Sequence, residues 1–284
     1  MNAKKLKNKF NTLVFGCSGS IGIEISKNLN RKNTLLISRK KPKNLTNFKW
    51  KKIDLNKKKI NIPKKVDKIF FLSSPYYIKK NFSFSKFNQE YIWLKKIVKQ
   101  TKFNKIIYFS SRSVYLKNHP LGKIKLKCEN YLIKKKIKFL QIWRPFNILG
   151  KYENVLSDHF HNILLKEFFF KKKIKHTFAG NINDRRSYSS AKKFSKVVVD
   201  YSKQNKSFII NYKNSKSITI KKILNIFIKI LKKHDNREIK YYFKSKFLDN
   251  NKIKNHDKIK YLDSKENSAM VMKKYFLNQI NENK

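Results

Sequence analysis

The sequence predicts an α/β fold, a doubly wound parallel sheet with a small C-terminal lobe. Three observations carry that expectation. Apolar runs of strand length alternate with helix-length stretches over the first 150 residues. The first run is joined to the first helix by Gly16-Cys17-Ser18-Gly19-Ser20-Ile21-Gly22, which holds three of the chain's six glycines. Beyond that half, the sequence is more polar and irregular and shows no internal repeat.

Residues 11–15 read as a buried strand, and residues 21–28 as the opening of a helix with Ile21, Ile25 and Leu29 on one face. A chain this poor in glycine keeps one where the backbone needs a positive φ or where another group comes close. Strand, glycine turn and helix aim free N–H groups and the positive end of the helix dipole at a phosphate. The spacing is G-x-x-G-x-x-G rather than the commoner G-x-G-x-x-G of dinucleotide sites. The second strand, Thr34–Ser38, is followed by Arg39 and no acidic residue. In dinucleotide folds an acid there holds the 2′-hydroxyl of NAD, and a basic residue suits the 2′-phosphate of NADP. Arg39 therefore favours NADP over NAD.

Residues 48–53 form the third expected strand, ending in Asp54-Leu55, and residues 68–73 a fourth, apolar as a strand covered on both faces should be. Phe84, Phe87, Tyr91, Leu94 and Val98 fall at helical spacing and read as core. The fifth strand, 105–110, leads into Ser110-Ser111-Arg112-Ser113-Val114-Tyr115. A helix over about 121–136 and a strand over 139–143 come next, then Arg144-Pro145-Phe146-Asn147-Ile148-Leu149-Gly150. The second half offers a Phe-rich helix over 160–170, a helix over 191–201, a short strand over 208–211, an amphipathic helix over 218–231 and an edge strand over 240–243. The expected division is a dinucleotide-binding domain over 1–150, to which a segment near 191–212 returns. A lobe made of 151–190 and 213–284 closes over the ligand crevice.

The formal charge is +53, from 70 basic and 17 acidic residues. Such a balance raises the possibility of a nucleic-acid or acidic-membrane binder. Only seven of the basic residues are Arg, at 31, 39, 112, 144, 185, 186 and 237. A surface built for phosphate would be expected to use more Arg, whose planar fork binds phosphate bidentately. The lysines are spread along the chain with no concentrated arm, and Ala, Gly and Pro are scarce. This is the composition of a coding sequence rich in A and T, and it makes each surviving Arg or Gly informative. A binder of RNA on the same fold, using Lys interleaved with Tyr and Phe, stays as an alternative.

Cys17 and Cys128 are far apart and lack metal-ligand spacing, which suggests a reducing, cytoplasmic setting with no disulfide and no metal. No apolar run approaches the ~20 residues of a membrane-spanning helix. Lys4, Lys5, Lys7 and Lys9 ahead of Leu13 mimic a signal peptide, but the apolar part is too short and the glycine turn follows at once.

With these landmarks the chain resembles the extended short-chain dehydrogenase/reductase superfamily, the NAD-dependent epimerase/dehydratase family. The resemblance covers nearly the whole chain and implies a Rossmann-type sheet with a C-terminal substrate lobe. Gly16, Gly19 and Gly22 follow the family's glycine spacing, with Ser18, Ser20 and Ile21 in the same turn. Asp54-Leu55 matches its adenine-contacting pair, and Leu72-Ser73-Ser74 stands where Leu-Ala-Ala usually lies against the cofactor. Phe109-Ser110-Ser111-x-x-Val114-Tyr115 matches its serine motif, which implies Ser111 as the catalytic serine. Arg144-Pro145-x-Asn147-x-x-Gly150 matches the segment beside nicotinamide and substrate, implying Pro145 at the cofactor and Asn147 at the substrate. Arg185 or Arg186 resembles the lobe Arg that pairs with a nucleotide diphosphate, and 262–265 resembles a C-terminal Asp-x-x-Lys region.

One departure stands out. The family's Tyr-x-x-x-Lys corresponds to Leu121-Gly122-Lys123-Ile124-Lys125, so Lys125 is kept and the Tyr is Leu121. In the family that Tyr moves a proton to or from the substrate oxygen, while the Lys lowers the Tyr pKa and holds the ribose. Tyr131-x-x-x-Lys135 has the spacing but lies too far along the helix and reads as packing. Tyr115 is nearer, in a place the family fills for structural reasons. The resemblance therefore implies an NADP- or NAD-dependent oxidoreductase, epimerase or dehydratase acting on a nucleotide sugar in surface-polysaccharide biosynthesis. Ser111 and Lys125 would be catalytic, and a homodimer would form through the helices near 84–102 and 121–136. The alternative from a different class is a cofactor-binding regulatory or assembly protein whose turnover is impaired.

Overall fold

The computed structural model describes residues 10–42, 44–75, 84–116, 118–153, 155, 159–244 and 260–282. The basic residues Lys4, Lys5, Lys7 and Lys9 lie outside these, as do the side chains of Phe84 and Phe87. The first half runs β1 (Thr12–Phe15), α1 (Ser20–Lys27), β2 (Thr34–Ser38), β3 (Lys49–Lys52), β4 (Lys68–Phe71), α2 (Phe84–Gln100), β5 (Lys105–Phe109), a 3-10 turn (Arg112–Tyr115), α3 (Pro120–Lys134) and β6 (Phe139–Pro145). The second half adds β7 (Ile148–Leu149), α4 (Phe160–Leu164), which continues as a π-helical turn (Leu165–Phe170), β8 (Lys175–Ala179), β9 (Arg185–Ser187), β10 (Ser189–Ser190), α5 (Ala191–Ser202), β11 (Phe208–Lys213), β12 (Ser217–Thr219), α6 (Ile220–Leu231), β13 (Lys240–Lys244), β14 (Lys260–Asp263) and α7 (Ser268–Glu282).

Among the described residues the main sheet has eight strands in the order β14-β11-β6-β5-β4-β1-β2-β3, and each pairing is parallel. The order reverses between β1 and β4, so the loops after these two strands diverge to opposite faces and leave a crevice at their C-terminal ends. β2 and β5 are buried at every position, which is why they read as uninterrupted apolar runs. α2 and α3 cover one face over Leu13, Phe15, Ile69, Phe71, Tyr108 and Ile124. α1 and α5 cover the other over Val14, Ile25, Phe70, Trp143, Phe194 and Val198.

A separate core holds the lobe together, with Leu164, Phe168, Phe178, Phe227, Met272 and Phe276 buried among α4, α6, α7 and β8. The π-turn lengthens the Phe-rich helix without breaking it, and β13 pairs in parallel with β8 at the lobe's margin.

One part of the expected division does not hold. Residues 260–263 form β14, which pairs with β11 and extends the main sheet, so 213–284 is not all lobe. The Lys-Tyr-Leu-Asp of β14 is short and half-exposed, as an outermost strand is, and carries little apolar signal. The C-terminal helix α7 was likewise absent from the sequence reading.

Candidate functional site

The site is built at the C-terminal ends of β1, β4, β5 and β6. Gly16 takes φ +82°, and a Cβ there would lie 2.8 Å from the backbone of Leu72 and Ser73. Gly22 is under tighter constraint, since a Cβ would come within 2.2 Å of the Gly16 carbonyl oxygen. These two glycines are explained by the fold itself. Gly19 is not. It has ordinary extended backbone, it is exposed, and a Cβ would meet only the Gly16 oxygen at 3.6 Å. Gly19 is the N-cap of α1, whose first turn carries no side-chain cap and no acidic residue. The Ser20 hydroxyl at that turn is buried without a hydrogen-bond partner among the described residues. That hydroxyl packs against Gly150, whereas the open turn and uncapped N–H groups fit an anion lying against the backbone.

The other candidate cofactor residues surround this turn. Arg39 is exposed just past β2. Asp54 follows β3, half-buried, accepting from the Asn56 N–H through its side chain. Leu55 is buried and its carbonyl accepts from Lys96. Leu72, Ser73 and Ser74 follow β4, Pro145 ends β6, and exposed Ser18 precedes Gly19. The turn Gly16–Gly22, Leu72-Ser73 and Ser111 thus lie at one end of adjacent strands.

The β5 side is built differently. Lys125 Nζ donates to Glu90 Oε1 at 2.7 Å and to the Phe109 carbonyl at 2.7 Å, and it sits over the Tyr108 ring. Glu90 is 1 % exposed and also accepts from the Tyr108 hydroxyl at 2.8 Å and the Ser74 hydroxyl at 2.6 Å. Burial, together with the Glu90 charge, pushes the Tyr108 hydroxyl well above the usual tyrosine range. A second buried carboxylate, Glu129, accepts from Arg144 Nε at 3.0 Å, from its other arm at 2.5 Å, and from the Ser110 hydroxyl. Arg144 also donates to the Tyr115 hydroxyl, which donates to Asn211. Burial opposes the Arg144 charge, but Glu129 beside it holds its pKa above the ordinary value. Two of the three Lys125 donors are therefore committed inside the protein, and one is left for a ligand.

Leu121 packs half-buried against the α2/α3 core. Tyr131 packs edge-on against Tyr91 at 5.6 Å near the end of α3, and Tyr115 is tied to Arg144 and Asn211. Ser111 Oγ accepts from the Ser113 N–H, which leaves its own proton to donate. His119 caps α3 two residues before Leu121, with a buried Nδ1 unpaired among the described residues. Burial, and Arg112 beside it, keep the His119 pKa below the usual histidine value.

The proposed substrate residues divide. Asn147, at φ +42°, donates to the Ser187 carbonyl and so fastens the β6 loop to β9. Arg185 turns to Ser217 with two hydrogen bonds and holds β9 to β12. Arg186 instead meets Asp184 at 3.4 Å, and its charge acts on Arg112 and Tyr188. Asp263 of the 262–265 segment accepts from the N–H groups of Ser215 and Lys265, a role in the fold.

Sequence reasoning missed Glu90 and Glu129. The signal was scarcity, since only 17 residues are acidic and two of them fall in the middle of helices facing the sheet. Cys17 and Cys128 are free and buried, their thiols pushed up to about 11 and about 12 by burial. No metal-binding cluster and no helix long and apolar enough to cross a membrane occur among the described residues. A cavity of about 750 Å³ lies elsewhere, between Glu24, Gly150, Ala191 and the α7 residues Met270, Val271 and Leu277.

No family model matches the chain. No curated protein matches it in sequence either. Solved structures do match in shape. A UDP-N-acetylglucosamine 4-epimerase from Methanobrevibacter ruminantium M1, in complex with UDP-N-acetylmuramic acid, superposes with a TM-score of 0.72 at 20 % identity, covering 97 % of this chain and 99 % of that one. A UDP-glucose 4-epimerase from Thermotoga maritima with UDP-glucose gives 0.70 at 14 % identity, covering 95 % and 100 %. A UDP-glucuronic acid 4-epimerase from Bacillus cereus in complex with NAD gives 0.67 at 17 % identity, covering 95 % and 99 %. The fold is that of the nucleotide-sugar epimerases. It is a Rossmann-type sheet carrying a lobe, as the sequence resemblance implied.

Proposed function

We propose that this chain binds a nicotinamide dinucleotide over the glycine turn and a nucleotide sugar between Ser111 and the lobe, as an epimerase/dehydratase-type oxidoreductase with an altered proton-transfer site. The observation that carries the reading is Gly19, a glycine the fold does not need, at an uncapped helix N-terminus. The α1 N–H groups would hold the pyrophosphate, Asp54 the adenine end, and Arg39 the 2′-phosphate of NADP, which we favour over NAD. Bound nicotinamide would supply hydride transfer. Lys125 would give its remaining N–H to the ribose, Ser111 would donate to a substrate oxygen, and Arg186 would meet the diphosphate. Three structural neighbours carry UDP-sugars or NAD, which supports a nucleotide sugar and a nicotinamide cofactor here. A cytoplasmic role in surface-polysaccharide biosynthesis accords with that substrate class. A homodimer through α2 and α3 accords with the exposed Ile92, Leu126 and Ile133 on those helices.

The test is titration of purified protein with NADPH and NADH, followed by nicotinamide fluorescence. Binding of NADPH is expected, and no binding of either at millimolar concentration sinks the reading. A second reading, cofactor binding without turnover, is favoured by Leu121 together with the capture of Lys125 by Glu90. Assaying wild type and Leu121→Tyr on a nucleotide-sugar panel separates the two. Turnover by wild type supports the enzyme, and turnover only in the variant supports the second reading.

A further inference from the structure

Arg112 is one of seven arginines and the residue directly after Ser111. It is half-buried, yet among the described residues its guanidinium makes no hydrogen bond and no ion pair. The other arginines around the site are engaged: Arg144 on Glu129, Arg185 on Ser217, Arg186 on Asp184 at 3.4 Å. The groups near enough for their charges to act on Arg112 are Arg186 and Tyr188 from the lobe, and Arg112 in turn acts on His119 at the head of α3. Burial and the neighbouring Arg186 charge both work against its own charge, and Tyr188 favours it only weakly. Tyr188 itself is buried, its hydroxyl pushed up to about 12, so it stays neutral and offers no anion. A guanidinium withdrawn from water and set beside another guanidinium is destabilised unless an anion completes the arrangement. The described residues supply none.

Resting on the nucleotide-sugar reading above, we propose that Arg112 is the receptor for a carboxylate on the sugar, so that the substrate is a nucleotide-activated sugar acid. The position decides between the two anions such a ligand carries. Arg186 stands on the lobe, where the diphosphate is expected. Arg112 is joined to Ser111, the residue that meets the reacting sugar, so its partner belongs to the sugar. Its planar fork suits a carboxylate, which it grips with two parallel N–H donors.

The experiment is isothermal calorimetry of the full chain with UDP, UDP-glucose and UDP-glucuronic acid, at ~0.2 M salt to screen the chain's general positive field. Wild type is expected to bind UDP-glucuronic acid about tenfold or more tighter than UDP-glucose, the worth of one charged hydrogen-bonded pair. Arg112→Gln is expected to remove that preference while leaving UDP and UDP-glucose within about twofold of wild type, which also reports that the variant is folded. Arg112→Lys is expected to keep part of it, because the charge stays and the fork is lost. Equal affinity of wild type for the two sugars overturns the carboxylate assignment. So does equal weakening of all three ligands in Arg112→Gln, which would place the diphosphate on Arg112. No binding of any of the three by wild type overturns the nucleotide-sugar reading itself, and this inference with it.

Discussion

The glycine turn after β1 and the end of β5 lie at the same end of the sheet, with β4 between them, and are finished in opposite ways. At the turn, α1 begins uncapped, a Cβ on Gly19 would touch only the Gly16 oxygen at 3.6 Å, and the buried Ser20 hydroxyl has no partner among the described residues. At the end of β5, Glu90 accepts from Lys125, Tyr108 and Ser74, and Glu129 accepts from Arg144 and Ser110. One region leaves its helix N–H groups without a side-chain cap, and the other pairs its buried charges internally. Where the Tyr of a Tyr-x-x-x-Lys pair would draw on the lysine's charge, Leu121 makes no such demand, and a carboxylate neutralises the lysine instead. The difference means that the turn can be substituted without touching the hydrogen bonds at the end of β5, so the two regions can be tested apart.

Substitutions inside each region sharpen the contrast. The largest effect is expected at Gly22, where even a methyl group would collide with the Gly16 carbonyl. Gly22→Val should abolish soluble folded protein, or cost about 3 kcal/mol or more by urea denaturation. If Gly22→Val is as stable as wild type, the packing of α1 on β1 is not what the glycine serves.

Next comes the buried pair of the β5 network. Glu90→Gln or Lys125→Met alone leaves one buried charge uncompensated and should cost about 3–5 kcal/mol, whereas the double variant should recover most of the loss. A double-mutant cycle measured by denaturation checks this, and strictly additive losses would show that the two groups are not a unit.

A smaller effect is expected from Glu167 in the lobe, which holds Lys171 at 2.9 Å and Lys173 at 2.6 Å. Burial opposes its charge, but the hydrogen bonds from Lys173 and Lys171 bring its pKa from 4.5 to about 2. A carboxylate with a depressed pKa contributes stability above its unfolded pKa and loses it as the pH falls through the folded one, so the window runs from pH 4.5 down to about 2. Both lysines are 47 % exposed, so the contribution is screened to about 1 kcal/mol. Thermal melts across that window should show the loss in wild type and not in Glu167→Gln. Parallel curves would contradict it.

The order and type of the main-sheet elements were legible because buried parallel strands such as Thr34–Ser38 are written as continuous apolar runs and the glycine turn punctuates the first of them. β14 was not, because an outermost strand has one paired edge and needs no apolar stretch. In the site, the glycine turn was visible from spacing, while Ser111, Lys125 and Leu121 were picked out by the family resemblance. What Lys125 touches was not, since its partner lies 35 residues earlier on another helix. Arg185 and Arg186 looked equivalent in sequence, and only the pairing of β9 with β12 sends one to Ser217 and the other to Asp184.

The claim that the glycine turn is a dinucleotide cradle is tested most directly by NADPH titration of wild type and Gly19→Ala, each paired with a thermal melt. A methyl group at Gly19 has room in the fold, so the melting temperature should not move, while binding should weaken about tenfold or more because the phosphate can no longer approach the backbone. Binding by Gly19→Ala as tight as by wild type would contradict the account.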